Sequence, residues 1–266
     1  MDKRNMPIGV FDSGIGGITV LKELKRVLPN ENYIYLGDLK NSPYGEKTGD
    51  QVFEFTKNNI NFLISKNVKL IVFACNTASS YRVEELRDMF DVPIITIIES
   101  AINTIDIDDK KILLAATKAT VNSHSYNKKM QERNIKSEIY SQACSELVPH
   151  IEAGDLSQEE TQHLVDSYIK KYRDKEIDFL LLGCTHYPIW RRYFSNAIGE
   201  KTKIIDPAIQ IAQDVKALLE NEQLSNVENT SDTAFYVTAD LEKFHKNINL
   251  LLGDISKEKI KLVHLK

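Results

Sequence analysis

The feature that most constrains this chain is a regular alternation of short apolar runs with helix-patterned stretches. Residues 8–11, 33–36, 70–73, 94–97, 112–115, 139–140, 179–182, 203–205, 235–238 and 260–263 read as buried strands. Between them apolar side chains recur every three or four residues, as at Ile18, Leu21, Leu24 and Leu28. Parallel strands need a long crossover between them, usually a helix. The alternation therefore predicts an α/β fold with parallel sheets and helices on both faces. The 266 residues suffice for one large domain or two ordinary ones, and 42% hydrophobic against 27% charged residues permits a buried core. Ligands in such sheets bind beyond the carboxyl ends of the strands, so the residues just after each strand are the candidates for function. The polar, aperiodic segment 222–232 reads as an exposed loop instead.

One of these strand ends occurs twice. Leu70-Ile71-Val72-Phe73-Ala74-Cys75-Asn76-Thr77 is matched by Phe179-Leu180-Leu181-Leu182-Gly183-Cys184-Thr185-His186. Each is a four-residue apolar strand, a small residue, a cysteine and then polar side chains. Two similar α/β units would each present a thiol at a strand end, and a ligand between them would meet one thiol from each side. The same text also fits two generic buried strands ending in cysteine, a residue that is often buried.

Three further features follow strands. Asp12-Ser13-Gly14-Ile15-Gly16-Gly17 opens a helix, where glycines let backbone approach a ligand and free N–H groups attract anions. Its spacing is not that of the dinucleotide fingerprint. Asp12 reads either as a helix cap or as a proton-handling partner. Ser42-Pro43-Tyr44-Gly45 is a turn that could offer the Tyr44 hydroxyl to a substrate. Cys75 and Cys184 are each expected to begin a helix, a position that favours thiolate. Asn76 and Thr77 can bond carboxylate or ammonium groups. His186, two positions after Cys184, is of a type that can titrate near neutrality, and Pro188 suits a first helical turn.

Several function classes are disfavoured. The net charge of -4, with lysine runs no longer than Lys128-Lys129 or Lys170-Lys171, gives no footprint for a nucleic acid. The start of the chain does not read as a signal peptide, and no apolar run reaches the ~20 residues of a membrane helix. Three cysteines, an odd count, point to free thiols in a reducing cytoplasm. Cys144 lies far from Cys184, and neither Cys-x-x-Cys nor His-x-x-x-His spacing is present, so no metal is expected. A Cys/His hydrolase or transferase stays open, with His186 activating Cys184, but it leaves Cys75 unused. A non-catalytic binder stays open too, though it has no need of two reactive thiols.

The four strand-end segments together resemble the cofactor-independent glutamate racemases of the aspartate/glutamate racemase superfamily. The resemblance rests on Gly9 to Gly17, Ser42 to Gly45, Ala74-Cys75-Asn76-Thr77-Ala78-Ser79 and Leu182-Gly183-Cys184-Thr185-His186-Tyr187-Pro188, with weaker matches at Thr117, Thr120 and Glu152. It implies two similar three-layer α/β domains, 1–98 plus 208–266 and 99–207, with the active site at their interface. It implies interconversion of L- and D-glutamate without pyridoxal phosphate or any other cofactor, in support of bacterial cell-wall synthesis. The catalytic roles fall on Cys75 and Cys184, supported by Asp12, His186 and Glu152. Substrate contacts fall on Asp12, Ser13, Pro43, Tyr44, Gly45, Cys75, Asn76, Thr77, Thr117, Thr120, Cys184, Thr185 and His186. Ser145-Glu146 and Ala153 depart from the familiar text, which bears on Glu152 and not on the cysteines. A homodimer is left open.

Overall fold

The computed structural model describes residues 2–103, 108–228 and 231–265. Among these residues every expected strand is present: β1 (Ile8–Asp12), β2 (Tyr33–Gly37), β3 (Leu70–Phe73), β4 (Ile94–Thr96), β5 (Lys111–Ala116), β6 (Glu138–Ala143), β7 (Phe179–Gly183), β8 (Lys203–Ile205), β9 (Thr233–Val237) and β10 (Ile260–Leu262). The helices are α1 (Ile18–Val27), α2 (Gly49–Ser65), α3 (Val83–Met89), α4 (Ile97–Asn103), α5 (Lys118–Ser123), α6 (Ser125–Glu132), α7 (Leu147–Ala153), α8 (Gln158–Ile169), α9 (Arg191–Ile198), α10 (Pro207–Asn221) and α11 (Leu241–Leu252). None of them is long and apolar enough to cross a membrane.

The strands form two sheets, both parallel throughout. A six-stranded sheet has the order β10-β9-β2-β1-β3-β4, and a four-stranded sheet has the order β6-β5-β7-β8. Alternate residues of each strand serve opposite faces. Ile8, Val10, Leu70 and Val72 face a cluster that also takes Ile112, Leu114, Leu181 and Ile205 from the smaller sheet, together with apolar side chains of α1, α4 and α10. Phe11, Ile71 and Phe73 point the other way, onto α2 and α3. Leu113, Leu180 and Leu182 face α7, α8 and α9. Each sheet is thus covered on both faces, and the layer between the two sheets is one continuous core.

Two local expectations are corrected. Ile97, expected to end the fourth strand, opens α4 because Thr96 and Glu99 bond reciprocally: Glu99 N–H donates to Thr96 Oγ1 and that hydroxyl donates to Glu99 Oε2 at 2.8 Å. The segments after Cys75 and Cys184 do not begin α-helices. They form single 3₁₀ turns, Ala78–Ser80 and Tyr187–Trp190, before α3 and α9 start. A single turn carries little of the dipole that a full helix end would supply. Pro188 does sit in the first turn of its segment. In the segment 222–232, residues 229 and 230 lie outside the described residues, and the rest is mostly exposed.

Candidate active site

The carboxyl ends of the two sheets meet, and the strand-end residues converge on one cavity. Cys75 follows β3, and Cys184 follows β7 in the other sheet; both thiols line this space. Of the residues expected from sequence, Ser13, Pro43, Tyr44, Gly45, Asn76, Thr77, Thr117, Thr185 and His186 line it too. Asp12, Glu152 and Thr120 stand one bond behind. Thr185 Oγ1 donates to Asp12 Oδ2 at 3.1 Å, His186 Nε2 meets Glu152 Oε1 at 3.0 Å, and Thr120 Oγ1 is 3.2 Å from Thr77 Oγ1. Ser42 and Val148 complete the lining and were not expected. The enclosed space is only about 20 Å³, close to one water-sized sphere.

The seam between the sheets is polar and hydrogen-bonded. Thr77 Oγ1, beside Cys75, is 2.9 Å from Thr117 Oγ1, which opens α5 by accepting the Thr120 N–H. Tyr126 of α6 donates to Asn76 Oδ1 at 2.6 Å. The glycine turn after β1 serves this seam. A Cβ on Gly16 would lie 2.4 Å from Thr185 Oγ1 and 2.5 Å from His186 Nδ1, and one on Gly17 would lie 2.5 Å from Asp12 Cβ. Gly16 therefore admits the side chains that follow Cys184 and Gly17 admits Asp12, where the sequence assigns the room to a ligand.

Asp12 is fully buried and does not act as the N-cap residue of α1, which is Gly17. Its carboxylate accepts the N–H of Gly14 within the turn. Burial nevertheless pushes its pKa up, against the attraction of His186 and of its hydrogen-bond donors. The Tyr44 hydroxyl, expected to be free for substrate, is committed: it donates to Asp38 Oδ2 at 2.6 Å and accepts from Asn59. Asp38 also accepts from Thr238 and Asn41, so this buried carboxylate pins the 42–45 turn in place.

The two thiols differ in surroundings. Cys75 Sγ lies 3.6 Å from Ser13 Oγ and 3.5 Å from the Ala78 N–H. Burial, reinforced by the charge of Asp12, outweighs both hydrogen bonds and pushes the thiol up to about 12. The expected thiolate-favouring helix end is thus overturned by desolvation in this closed arrangement. Cys184 Sγ lies 3.8 Å from His186 Nδ1. Burial pulls His186 down, but its hydrogen bonds and charge interactions with Cys184 and Glu152 prevail and hold it at about 10. Glu152 answers in the opposite sense. Burial raises it, but His186 and Lys243 lower it to about 2. Lys243 of α11 donates to Glu152 Oε2 at 2.9 Å and is half exposed. Its link to Glu152 spans 91 positions of sequence, and no local pattern announced it.

Comparison with known proteins supplies the context. The model of the Asp/Glu/hydantoin racemase family matches residues 21–215. The chain is 39% identical over 264 residues to glutamate racemase 3 of Caldanaerobacter subterraneus subsp. tengcongensis, covering 98% of this chain and 97% of the other. It is 42% identical over 258 residues to glutamate racemase of Thermoanaerobacter pseudethanolicus, covering 96% and 95%. Its fold is similar to the crystal structure of glutamate racemase from Francisella tularensis subsp. tularensis SCHU S4 in complex with D-glutamate, with TM-score 0.91, 34% identity and 98% coverage of both chains.

Proposed function

The chain belongs to the Asp/Glu/hydantoin racemase family and is an amino-acid racemase by that membership, and from this premise we propose that it interconverts L- and D-glutamate by a two-thiol, two-base mechanism without a cofactor. The observation that carries the reading is the placement of Cys75 and Cys184 in one cavity, each after an equivalent strand of a different sheet.

The Cα proton of an amino acid is weakly acidic. Inversion without an electron sink requires one group to remove it while another delivers a proton to the opposite face. Two thiols from opposite sheets meet that requirement. In each direction one acts as thiolate and the other as thiol, so their fields must differ. The imidazolium of His186, 3.8 Å from Cys184 Sγ, stabilises negative charge on that sulfur and can pass it a proton. Asp12 lies behind Thr185, and its charge raises the Cys75 thiol, so we assign it the proton balance on that side. The ammonium group of an entering substrate favours thiolate, opposing the burial that holds Cys75 protonated in the closed arrangement. Ser13, Asn76, Thr77, Thr117 and Thr185 supply hydroxyl and amide groups for the two carboxylates and for the charge that develops at Cα.

In this reading Cys184 takes the proton from L-glutamate and Cys75 takes it from D-glutamate. The units 1–98 with 208–266 and 99–207 each carry one of the two reacting thiols, Cys75 and Cys184. The enzyme works in the cytoplasm and supplies D-glutamate for peptidoglycan. Circular dichroism of the purified protein with L-glutamate and no added cofactor tests the activity: the signal should decay to zero as the racemate forms. Activity that vanished on dialysis and returned only with pyridoxal phosphate or a metal would overturn the two-thiol account. A kcat/KM higher for aspartate than for glutamate would overturn the substrate.

A further inference from the structure

We propose that Tyr126 is a positioning residue that fixes the amide of Asn76 so that its Nδ2 faces the cavity as a donor for a substrate carboxylate. This rests on the racemase reading above. The Tyr126 hydroxyl donates to Asn76 Oδ1 at 2.6 Å, and both residues are buried, at 1% and 2% exposure. An amide has one acceptor end and one donor end. Once Oδ1 is claimed, the donor end has nowhere to turn but away from Tyr126.

Asn76 Nδ2 is buried and has no hydrogen-bond partner among the described residues. An unpaired buried N–H group is costly, and it calls for an acceptor. Asn76 lines the same cavity as both thiols, next to Cys75 in sequence. A carboxylate oxygen entering that space satisfies the donor and is held beside the sulfur. Burial raises the pKa of Tyr126, with the charge on Cys184 adding to it, so the hydroxyl keeps its proton throughout the working pH range.

The bond also crosses the seam. Tyr126 lies on α6, after β5 of the smaller sheet, whereas Asn76 follows β3 of the larger one. The donor is therefore oriented only while the two sheets are in contact. Tyr126 itself does not line the cavity, so its action on the substrate passes through Asn76.

The test is a double-mutant cycle on glutamate racemisation with wild type, Tyr126→Phe, Asn76→Ala and the double variant. Tyr126→Phe should lower kcat/KM about tenfold, most of it as a rise in KM, because the donor binds a group present in both ground and transition states. In the Asn76→Ala background the same change should have no further effect. An equal loss in both backgrounds, or a loss under about twofold in wild type, overturns the proposal in favour of simple packing. Asn76→Asp gives a second reading that does not depend on the Tyr126 variant. It keeps the acceptor for Tyr126 and replaces the donor by an anion, so it should lose more kcat/KM than Asn76→Ala. An equal or smaller loss overturns the proposal. A wild type that racemises while these variants fail the pattern removes this inference alone; an inert wild type removes the racemase reading with it.

Discussion

Cys75 and Cys184 follow near-identical strands, but the groups around them differ in kind. Cys184 leads outward: His186 at 3.8 Å, then Glu152 at 3.0 Å from that ring, then half-exposed Lys243 at 2.9 Å from the carboxylate. Cys75 leads nowhere comparable. Its sulfur meets Ser13 Oγ and a backbone N–H, and the carboxylate that acts on it, Asp12, is fully buried. The repeat supplies two reacting atoms in equivalent places, while His186, where the first copy has Thr77, and residues outside the repeat give each its own proton traffic. A charged relay open to solvent serves one side, and a desolvated carboxylate serves the other.

The comparison breaks most sharply at the sulfurs. Cys75→Ala and Cys184→Ala should each lower racemisation by about 10⁴-fold or more, since the two groups act as a unit. The residue of chemistry should be one-sided. In D₂O, Cys75→Ala should still exchange the Cα proton of L-glutamate through Cys184, and Cys184→Ala that of D-glutamate. Equal exchange of both enantiomers by either variant would dissolve the division of labour.

Next in size are the two proton-handling partners. His186→Asn and Asp12→Asn should reduce kcat by ~10²–10⁴-fold with smaller changes in KM. The equilibrium constant of a racemisation is one, so kcat/KM must fall equally in both directions. The side affected therefore has to be read from the primary isotope effect, which should grow for L-[2-²H]glutamate in His186→Asn and for the D-isomer in Asp12→Asn. A large rise in KM with kcat intact would make these residues substrate binders.

The third effect is a pH dependence. His186 is raised from 6.5 to about 10, so its contribution to stability is whole below pH 6.5 and is lost as pH climbs through about 10. Glu152 is lowered from 4.5 to about 2, so its contribution is whole above pH 4.5 and is lost as pH falls through about 2. The gap in Tm between wild type and Glu152→Gln should be widest between pH 4.5 and 6.5 and should shrink toward pH 10. In the variant the His186 ring, followed by NMR, should titrate well below its wild-type pH. A Tm gap that is flat from pH 5 to 10 would show that the pair does not hold the charge on His186.

The smallest effect belongs to Lys243. Its pair with Glu152 is half exposed, and such pairs are worth about 0–1 kcal/mol. Lys243→Ala should change kcat by less than about fivefold, and the difference should fade with added salt. A loss as large as that of His186→Asn would make Lys243 an obligatory end of the relay.

The contrast between the two sides also marks what the sequence could show. Most of the strands were legible as apolar runs, β6 by Ile139 and Tyr140 alone, and strand ends are where parallel sheets place ligands. The cysteines, the Asp12 turn and the Thr185-His186 pair were legible for that reason. What stayed hidden depends on distant partners. No local pattern connects Lys243 to Glu152, 91 positions away, or Tyr126 to Asn76, 50 positions away. The freedom of the Tyr44 hydroxyl was misjudged because its partner Asn59 sits on α2, outside the turn. Sequence shows neither how short the turn after Cys75 is nor how completely its sulfur is desolvated. The Thr96–Glu99 pair, by contrast, was a readable helix start at the end of the fourth strand.

The central claim is that the proton removed on one side of Cα is not the one returned on the other. It is tested most directly by a brief reaction in D₂O from either enantiomer, stopped after a few per cent conversion and resolved by chiral separation and mass spectrometry. The account predicts that the product carries solvent deuterium at Cα while the recovered substrate stays protiated. Early deuterium in the recovered substrate, at the level found in the product, would contradict it and point to a single base that serves both faces.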